Sequence, residues 1–315
     1  MRELIAGVDL GGTNVRIALS DKQSPGTFLE HLTRKTPVTG GPAAFIEVVK
    51  EGLAVCLKMQ ADEPFELTGL GCTIPGITDA EQGQALLVTN LPGWDNYPIR
   101  SALESALNIP VAIDNDVNAA ALGEFWFGQG RGCHSVIYLT ISTGVAAGIV
   151  VNGQLLRGVN HAAGEMGFFV PDPLLLEDNW EPNGCLELTS AGVGIAERWV
   201  KKKNGSISQN TTELQHVTAE NVFKAAAKGD IEAIEVTRKA ADYLAQSVIA
   251  LATVIDPECI VLSGSIVQHQ QHVYNHICQA VKRHVPHAPK IVISEFDGDA
   301  PLIGAMALIS KKLAG

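Results

Sequence analysis

Asp114, Asn115 and Asp116 stand where "IPVAI", residues 109–113, gives way to "VNAAALGEFWFG", residues 117–128. The first run is apolar and strand-like. The second has the composition of a helix, with Asp or Asn placed to cap its start. A carboxylate at such a junction can take a proton from an alcohol, which is otherwise a poor nucleophile. It can equally do no more than cap the helix. Asp116, directly ahead of Val117, is open to both readings on local sequence.

A second chemistry belongs to "GVDLGGTNVRIAL", Gly7 to Leu19. Glycine-rich phosphate loops usually join a strand to a helix, whose N-terminus supplies N–H donors and a favourable dipole. Here Ile5, Val8 and Leu10 read as a strand, and Val15, Ile17 and Leu19 alternate with Asn14, Arg16 and Ala18. That period of 2 predicts a returning strand, so the turn belongs to a hairpin. Residues 136–156, "VIYLTISTGVAAGIVVNGQLL", repeat the pattern of strand, polar-glycine turn and strand. Two such turns can each offer backbone N–H groups to phosphate oxygens. Gly11, Gly12, Thr13 and Asn14 belong to the first turn, and Thr143 and Gly144 to the second. Asp9, an acid beside phosphates, makes sense there through a water-bridged Mg²⁺, or else as a turn-forming Asp. No GxGxxG follows the first strand and no GxxxxGK[ST] occurs, so the dinucleotide fingerprint and the P-loop are excluded.

The elements that must carry these residues follow from pattern. A helix is expected from Pro42 to about Gln60, a strand in "LTGLGCTIPGI", a helix near Arg100 to Leu107, and the strand and helix that flank Asp116. Asn152-Gly153 is a hairpin signal. The stretch Pro171 to Cys185 reads as irregular, Ser190 to Val254 as mainly helical, and "ECIVLSGSIV" and "KIVISEF" as strands. With 315 residues the chain is long for one core and suits two lobes. We expect residues 1–115 as one lobe, with a helix at 301–315 packing back on it, and residues 116–300 as the other.

Bulk properties narrow the function classes. The chain is 46% hydrophobic and 18% charged, an ordinary globular composition. A formal charge of −11 argues against nucleic acid, which is bound by neutralising phosphates with Lys and Arg. The longest apolar runs, such as Val145 to Val151, are too short to span a bilayer, and no signal peptide is visible. Six cysteines lie scattered with no CxxC, and several, such as Cys72 and Cys259, read as buried thiols. These features predict a cytoplasmic protein with no membrane partner.

Two glycine-turn hairpins, each opening an α/β half, match the layout of the actin, heat-shock ATPase and sugar kinase superfamily. Within it the chain resembles the ROK family of sugar kinases and sugar-responsive repressors, over nearly all its length. The resemblance rests on "DLGGTN" (9–14), "GCTIPG" (71–76), "TNLPGW" (89–94), "DNDVNAAALGE" (114–124), "ISTGVAAGIVVNG" (141–153), "AGEMG" (163–167), "GCLE" (184–187) and "VLSGSI" (261–266). The repressor branch carries a helix-turn-helix ahead of the first hairpin, for which a hairpin beginning at residue 5 leaves no room.

The resemblance implies an α/β, two-lobed actin-like fold with duplicated mixed-sheet domains and an interlobe cleft. It implies an ATP- and Mg²⁺-dependent transfer of phosphate to the primary hydroxyl of a free hexose. Glucose is the default acceptor, N-acetylmannosamine or another N-acetylhexosamine its competitor, and the family's usual form is a homodimer. A sugar-sensing regulator without kinase activity and an actin-like ATPase without a sugar are the rival classes. Asp116 matches the family's catalytic base, Asn115 its sugar-contacting asparagine, and Asp114 stands where the family often has Glu. Asn90, Asn115, Asp116, Glu165 and Glu187 form the implied sugar side. Glu165 also reads as a surface glutamate in a loop. Gly264 matches the nucleoside-side loop, with Ser190 and Gly192 toward the adenine.

One departure stands out. Many ROK proteins hold a structural zinc through a histidine and three cysteines. Here the histidine position is Phe168, and "LEDNWEPN" (176–183) brings no cysteine, leaving Cys185 alone. One thiolate cannot close a tetrahedral site, so no zinc is expected. In the zinc-bearing relatives that histidine also reaches the sugar near C1 and C2, a contact Phe168 cannot make. His269, His272 and His276, spaced i, i+3, i+7, could bind a metal but read better as a solvated helix face.

Overall fold

The computed structural model describes residues 1–60, 64–88, 91–203, 217–296 and 298–314. The chain divides into two units. The first is Met1–Cys133 with Gly148–Ala163 and Ser294–Gly315, and the second is His134–Ala147 with Gly164–Ile293.

The first unit is built on a mixed sheet. Strands β1 (Arg2–Leu10) and β2 (Asn14–Asp21) pair antiparallel from Leu4 opposite Asp21 to Leu10 opposite Val15. The period-2 pattern after Gly11-Gly12 is thus a returning strand. With β3 (Phe28–Lys35), β4 (Phe65–Ile74) and β7 (Val111–Asn115) the strand order is β3-β2-β1-β4-β7. The short strands β5 (Ile77–Asp79) and β6 (Gln84–Leu87) form a separate hairpin. β1, β4 and β7 are parallel, and their register sets Asp9 opposite Thr73 and Thr73 opposite Asp114. Three polar residues are therefore aligned across the carboxyl ends of three neighbouring strands.

Parallel strands buried on both faces need cover on both. On one face Ala6, Val8, Leu10, Ile17 and Leu19 pack with Phe45, Val49 and Leu53 of helix α1 (Gly41–Lys58) and with Leu103 of α2 (Ile99–Leu107). The other face is covered by a helix at Ala300–Ala314, whose Leu302, Met306 and Ile309 meet Ile5 and Ala18. That helix lies extremely close. A Cβ on Gly71 of β4 would fall 1.7 Å from the carbonyl oxygen of Ala305, and one on Gly304 would fall 2.0 Å from that of Ala119 in α3 (Asp116–Phe127).

The second sheet has the order β10-β9-β8-β11-β12, from β8 (Val136–Ile141), β9 (Val145–Val151), β10 (Gln154–Leu155), β11 (Cys259–Ser263) and β12 (Lys290–Ile293). The boundary between the units falls inside β9. Asn152 and Gly153 take φ of 51° and 72°, as a two-residue hairpin with both central residues left-handed requires. Beyond it the second unit is mostly helical among the described residues: α4 (Cys185–Ser190), α5 (Gly192–Lys203), α6 (Ala219–Ala227), α7 (Ile231–Ile255), α8 (Ser265–His269) and α9 (Gln271–His284). No helix of the described residues is long and apolar enough to cross a membrane.

The contact at Gly71 leads to a stability prediction. Both clashing groups are backbone-borne and cannot rotate away, so Gly71→Ala must push the last helix off the sheet. A loss of about 3 kcal/mol in chemical denaturation is expected, at the upper end of ordinary overpacking. A change below about 0.5 kcal/mol, the size of a neutral surface substitution, would show that this packing is not fixed.

Candidate active site

The strand ends of the first unit give each polar residue a different task. Asp9 is 5% exposed. Its Oδ1 accepts from the Thr73 hydroxyl at 2.6 Å, and its Oδ2 accepts from both Nη2 and Nε of Arg16, at 2.7 and 3.0 Å. Arg16 also reaches the Gly298 carbonyl at 2.6 Å and Asp299 at 3.0 Å. Both Asp9 oxygens are thus engaged by protein donors. A water-bridged partnership with a cation leaves all of these bonds in place. In the turn the Gly11 N–H donates to the Asn14 carbonyl, while Gly12 and Thr13 are exposed. A Cβ on Gly12 would meet nothing within 4 Å, so this backbone faces open space.

At the junction of β7 and α3 the two acids separate. Asp114 is fully buried and binds Arg157 twice through Oδ2, at 2.6 and 3.1 Å. Its Oδ1 accepts from the Asn115 backbone and the Asn118 side chain. Asn115, not Asp116, is the N-cap: its Oδ1 accepts from the N–H groups of Val117 and Asn118, and its Nδ2 donates to the Gly76 carbonyl at 2.7 Å. An Asn amide has two N–H donors, so one remains for a ligand. Asp116 is the first residue of the helix proper, half-buried, with Oδ1 accepting from the Val117 N–H. The capping task that competed for Asp116 belongs to its neighbour. Asn90 lies outside the described residues.

The second unit holds the other candidates. Ser142 and Thr143 of the β8–β9 turn, Gly192, Phe223, Ser265 and Ile266 line a cavity of about 830 Å³. Gly264 precedes α8 beside this cavity, and the Ser142 and Ser265 hydroxyls lie 3.2 Å apart. Ser190 is fully buried and shares a hydrogen bond with Thr189. Glu165 is exposed as a residue, yet enough protein surrounds its carboxyl to push it above the usual range by loss of solvent. Glu187, half-buried on α4, is raised by burial first and also by the charge of Glu165, against a hydrogen bond from the Val145 N–H.

Four residues outside the sequence-derived set shape the site. Arg16 and Arg157 tie up the acids at 9 and 114. His161 (φ 56°) faces the buried Asp79 at 3.5 Å and pins the Arg157–Ala163 segment. Glu124, fully buried, accepts from the Gln129 N–H and the Ser294 hydroxyl. A buried Asp or Glu demands a partner, and that requirement was the available signal. It names no partner 43 or 170 residues away.

The chain matches the family model described as "ROK family" over residues 5–312. It is 30% identical over 315 residues to a glucokinase of Halalkalibacterium halodurans, covering 97% of this chain and 94% of that one. The crystal structure of a ROK hexokinase from Thermus thermophilus superposes with a TM-score of 0.84 at 28% identity, covering 99% of this chain and all of that one. A ROK family glucokinase from Streptomyces griseus, solved with glucose and AMPPNP, gives 0.71 at 26% identity, covering 97% and 98%. Together with the two hairpin-opened mixed sheets, these matches define the class: the two-lobed actin-like α/β fold of the sugar kinases. The chain belongs to the ROK family.

The zinc question turns on residues. Phe168 is 58% exposed, and the Cys185 thiol, 1% exposed, is pushed up to about 11 by burial. His276 pairs with Asp242 at 2.8 Å while His272 packs edge-on against Phe223. Among the described residues no three of His, Cys, Asp and Glu are grouped to hold a metal ion. These residues do not fit a structural zinc. Elemental analysis of the purified protein should find no stoichiometric zinc, and a chelator should leave its melting temperature unchanged. One tightly held zinc per chain would overturn this reading.

Proposed function

We propose that this sugar kinase transfers the γ-phosphate of ATP to the primary hydroxyl of a free hexose, glucose first among the acceptors. The observation that carries the proposal is the division of labour at the β7–α3 junction. Arg157 binds the buried Asp114, the Asn115 side-chain oxygen caps the helix, and Asp116 stands beside them as the half-buried acid at the head of the helix. Asp116 is the proton acceptor: its carboxylate takes the hydroxyl proton as the oxygen attacks phosphorus. Asn90, Asn115, Asp116, Glu165 and Glu187 are the residues we assign to orienting the hexose. The turns at Gly11–Asn14 and at Thr143–Gly144, with Gly264, hold the nucleotide phosphates through backbone N–H groups. Asp9, held by Arg16 and Thr73, is the residue that would face a bound Mg²⁺, whose charge would offset that of the phosphates.

N-acetylhexosamines remain competing acceptors, and a coupled ADP-release assay across hexoses, amino sugars and a no-sugar control tests the proposal. Turnover with one or more sugars and none without is the expected outcome. Asp116→Asn keeps size and most hydrogen bonding but removes the proton acceptor. It should lower kcat by roughly 10²-fold or more while hexose still binds. A variant with near wild-type kcat removes Asp116 from that role.

The acidic side of the pH profile follows from the carboxyl environments. Glu165 and Glu187 are both raised above the ordinary glutamate range, so they take up protons at a pH where an exposed Glu is still ionised. A protonated carboxyl accepts fewer hydrogen bonds from sugar hydroxyls. The hexose KM should therefore rise as pH falls from neutrality toward the ordinary carboxylate range, beginning before that range is reached. Glu187→Gln should flatten that rise, and a wild-type KM that stays constant over the interval would contradict it.

A further inference from the structure

The β8–β9 turn, Ser142–Gly144, takes its shape from the segment that carries Glu187. The Glu187 Oε2 accepts from the Val145 N–H at 3.3 Å. A Cβ on Gly144 would lie 2.3 Å from that oxygen and 3.1 Å from the carboxyl carbon. Gly144 does not have a positive φ, so handedness is not what requires glycine there. The space is filled by the carboxylate. The far side of the turn is fastened to the same segment, since the Gly192 N–H donates to the Ser142 carbonyl at 2.7 Å, and that segment is itself closed by the Ala191 N–H donating to the Glu187 carbonyl at 3.0 Å. Residues 187–192 thus grip the turn at both ends, and Ser142 and Thr143 on its tip line the 830 Å³ cavity with Gly192.

We infer that Glu187 is a positioning residue for the nucleotide-side turn of the second unit, in addition to facing the hexose. Its carboxylate holds the Val145 amide and occupies the volume beside Gly144, so the amides that meet phosphate are held in place before any ligand arrives. One side chain then serves both substrates. The inference rests on the donor and acceptor assignments proposed above, and it adds a consequence they lack. Removing a residue that only reads sugar leaves nucleotide affinity untouched when no sugar is present. Removing the carboxylate that shapes the turn does not.

Calorimetric titration of sugar-free protein with ADP separates these cases. Glu187→Ala opens the space beside Gly144 and strips Val145 of its acceptor, and should weaken ADP about tenfold. Gly144→Ala, which drives a methyl into the carboxylate, should weaken it by a similar factor. Glu187→Gln keeps the volume and an acceptor oxygen, so it should bind ADP within about threefold of wild type while its hexose KM rises. Melting curves of each variant identify any that fail to fold, and the Ala and Gln variants at 187 decide the matter without Gly144→Ala. ADP affinity unchanged in Glu187→Ala, with wild-type binding intact, overturns the inference. Failure of the underlying reading looks different: the wild type itself would turn over no hexose or bind no ADP.

Discussion

The close approach of the last helix to the first sheet is the constraint on which the first unit depends. A carbonyl of Ala300–Ala314 sits where a side chain on Gly71 would begin, and Gly304 meets the backbone of α3 in the same way. Contacts of this kind leave no freedom to slide, because neither partner has a rotamer to change. The helix therefore fixes β1, β4 and α3 relative to one another. Those three elements carry Asp9, Thr73 and Asp116. The ladders set Asp9 opposite Thr73 and Thr73 opposite Asp114, and the helix locks the layer that carries them.

On that frame, charge is arranged by pairing. Asp9 and Asp114 are buried acids at the ends of β1 and β7, on either side of β4, and each is answered by an arginine with two short hydrogen bonds. Leaving either unanswered would cost several kcal/mol. Pairing also sorts the acids by role. Asp9 and Asp114 are held by arginines, whereas Asp116 is half-buried at the head of α3, the position that the proposed function assigns to the proton acceptor. The second unit uses a different device. Its turn is shaped by a glutamate whose carboxyl is made costly to ionise by its surroundings. That cost is tolerable where a polar ligand completes the environment.

Much of this was legible in the sequence because it is local. The period-2 alternation after Gly11-Gly12 needs only a dozen residues to predict a returning strand, and Asn152-Gly153 needs two. The cap before Val117 was legible as a cap, though not as Asn115 in place of Asp116, because both side chains can perform the task and only the backbone angles choose. What stayed hidden is long-range. Arg157 lies 43 residues from Asp114, and Gly144 reads as a flexible turn residue until Glu187, also 43 residues on, occupies its missing side chain. Composition and spacing carry no information about which distant side chain fills a gap.

The order of segments along the chain has a consequence for synthesis. The helix that seals the first sheet comes after every residue of the second unit, since residues 134–293 lie between α3 and that seal apart from the return at Gly148–Ala163. On the ribosome the first sheet emerges early with one face bare, a surface of Ile5, Ala18 and glycine backbone made to receive a helix not yet translated. Domains generally fold as units as they emerge, and bare strand faces favour aggregation. The second unit has nearly all its residues in hand first. The first unit therefore cannot be sealed until the residues of the second have been translated.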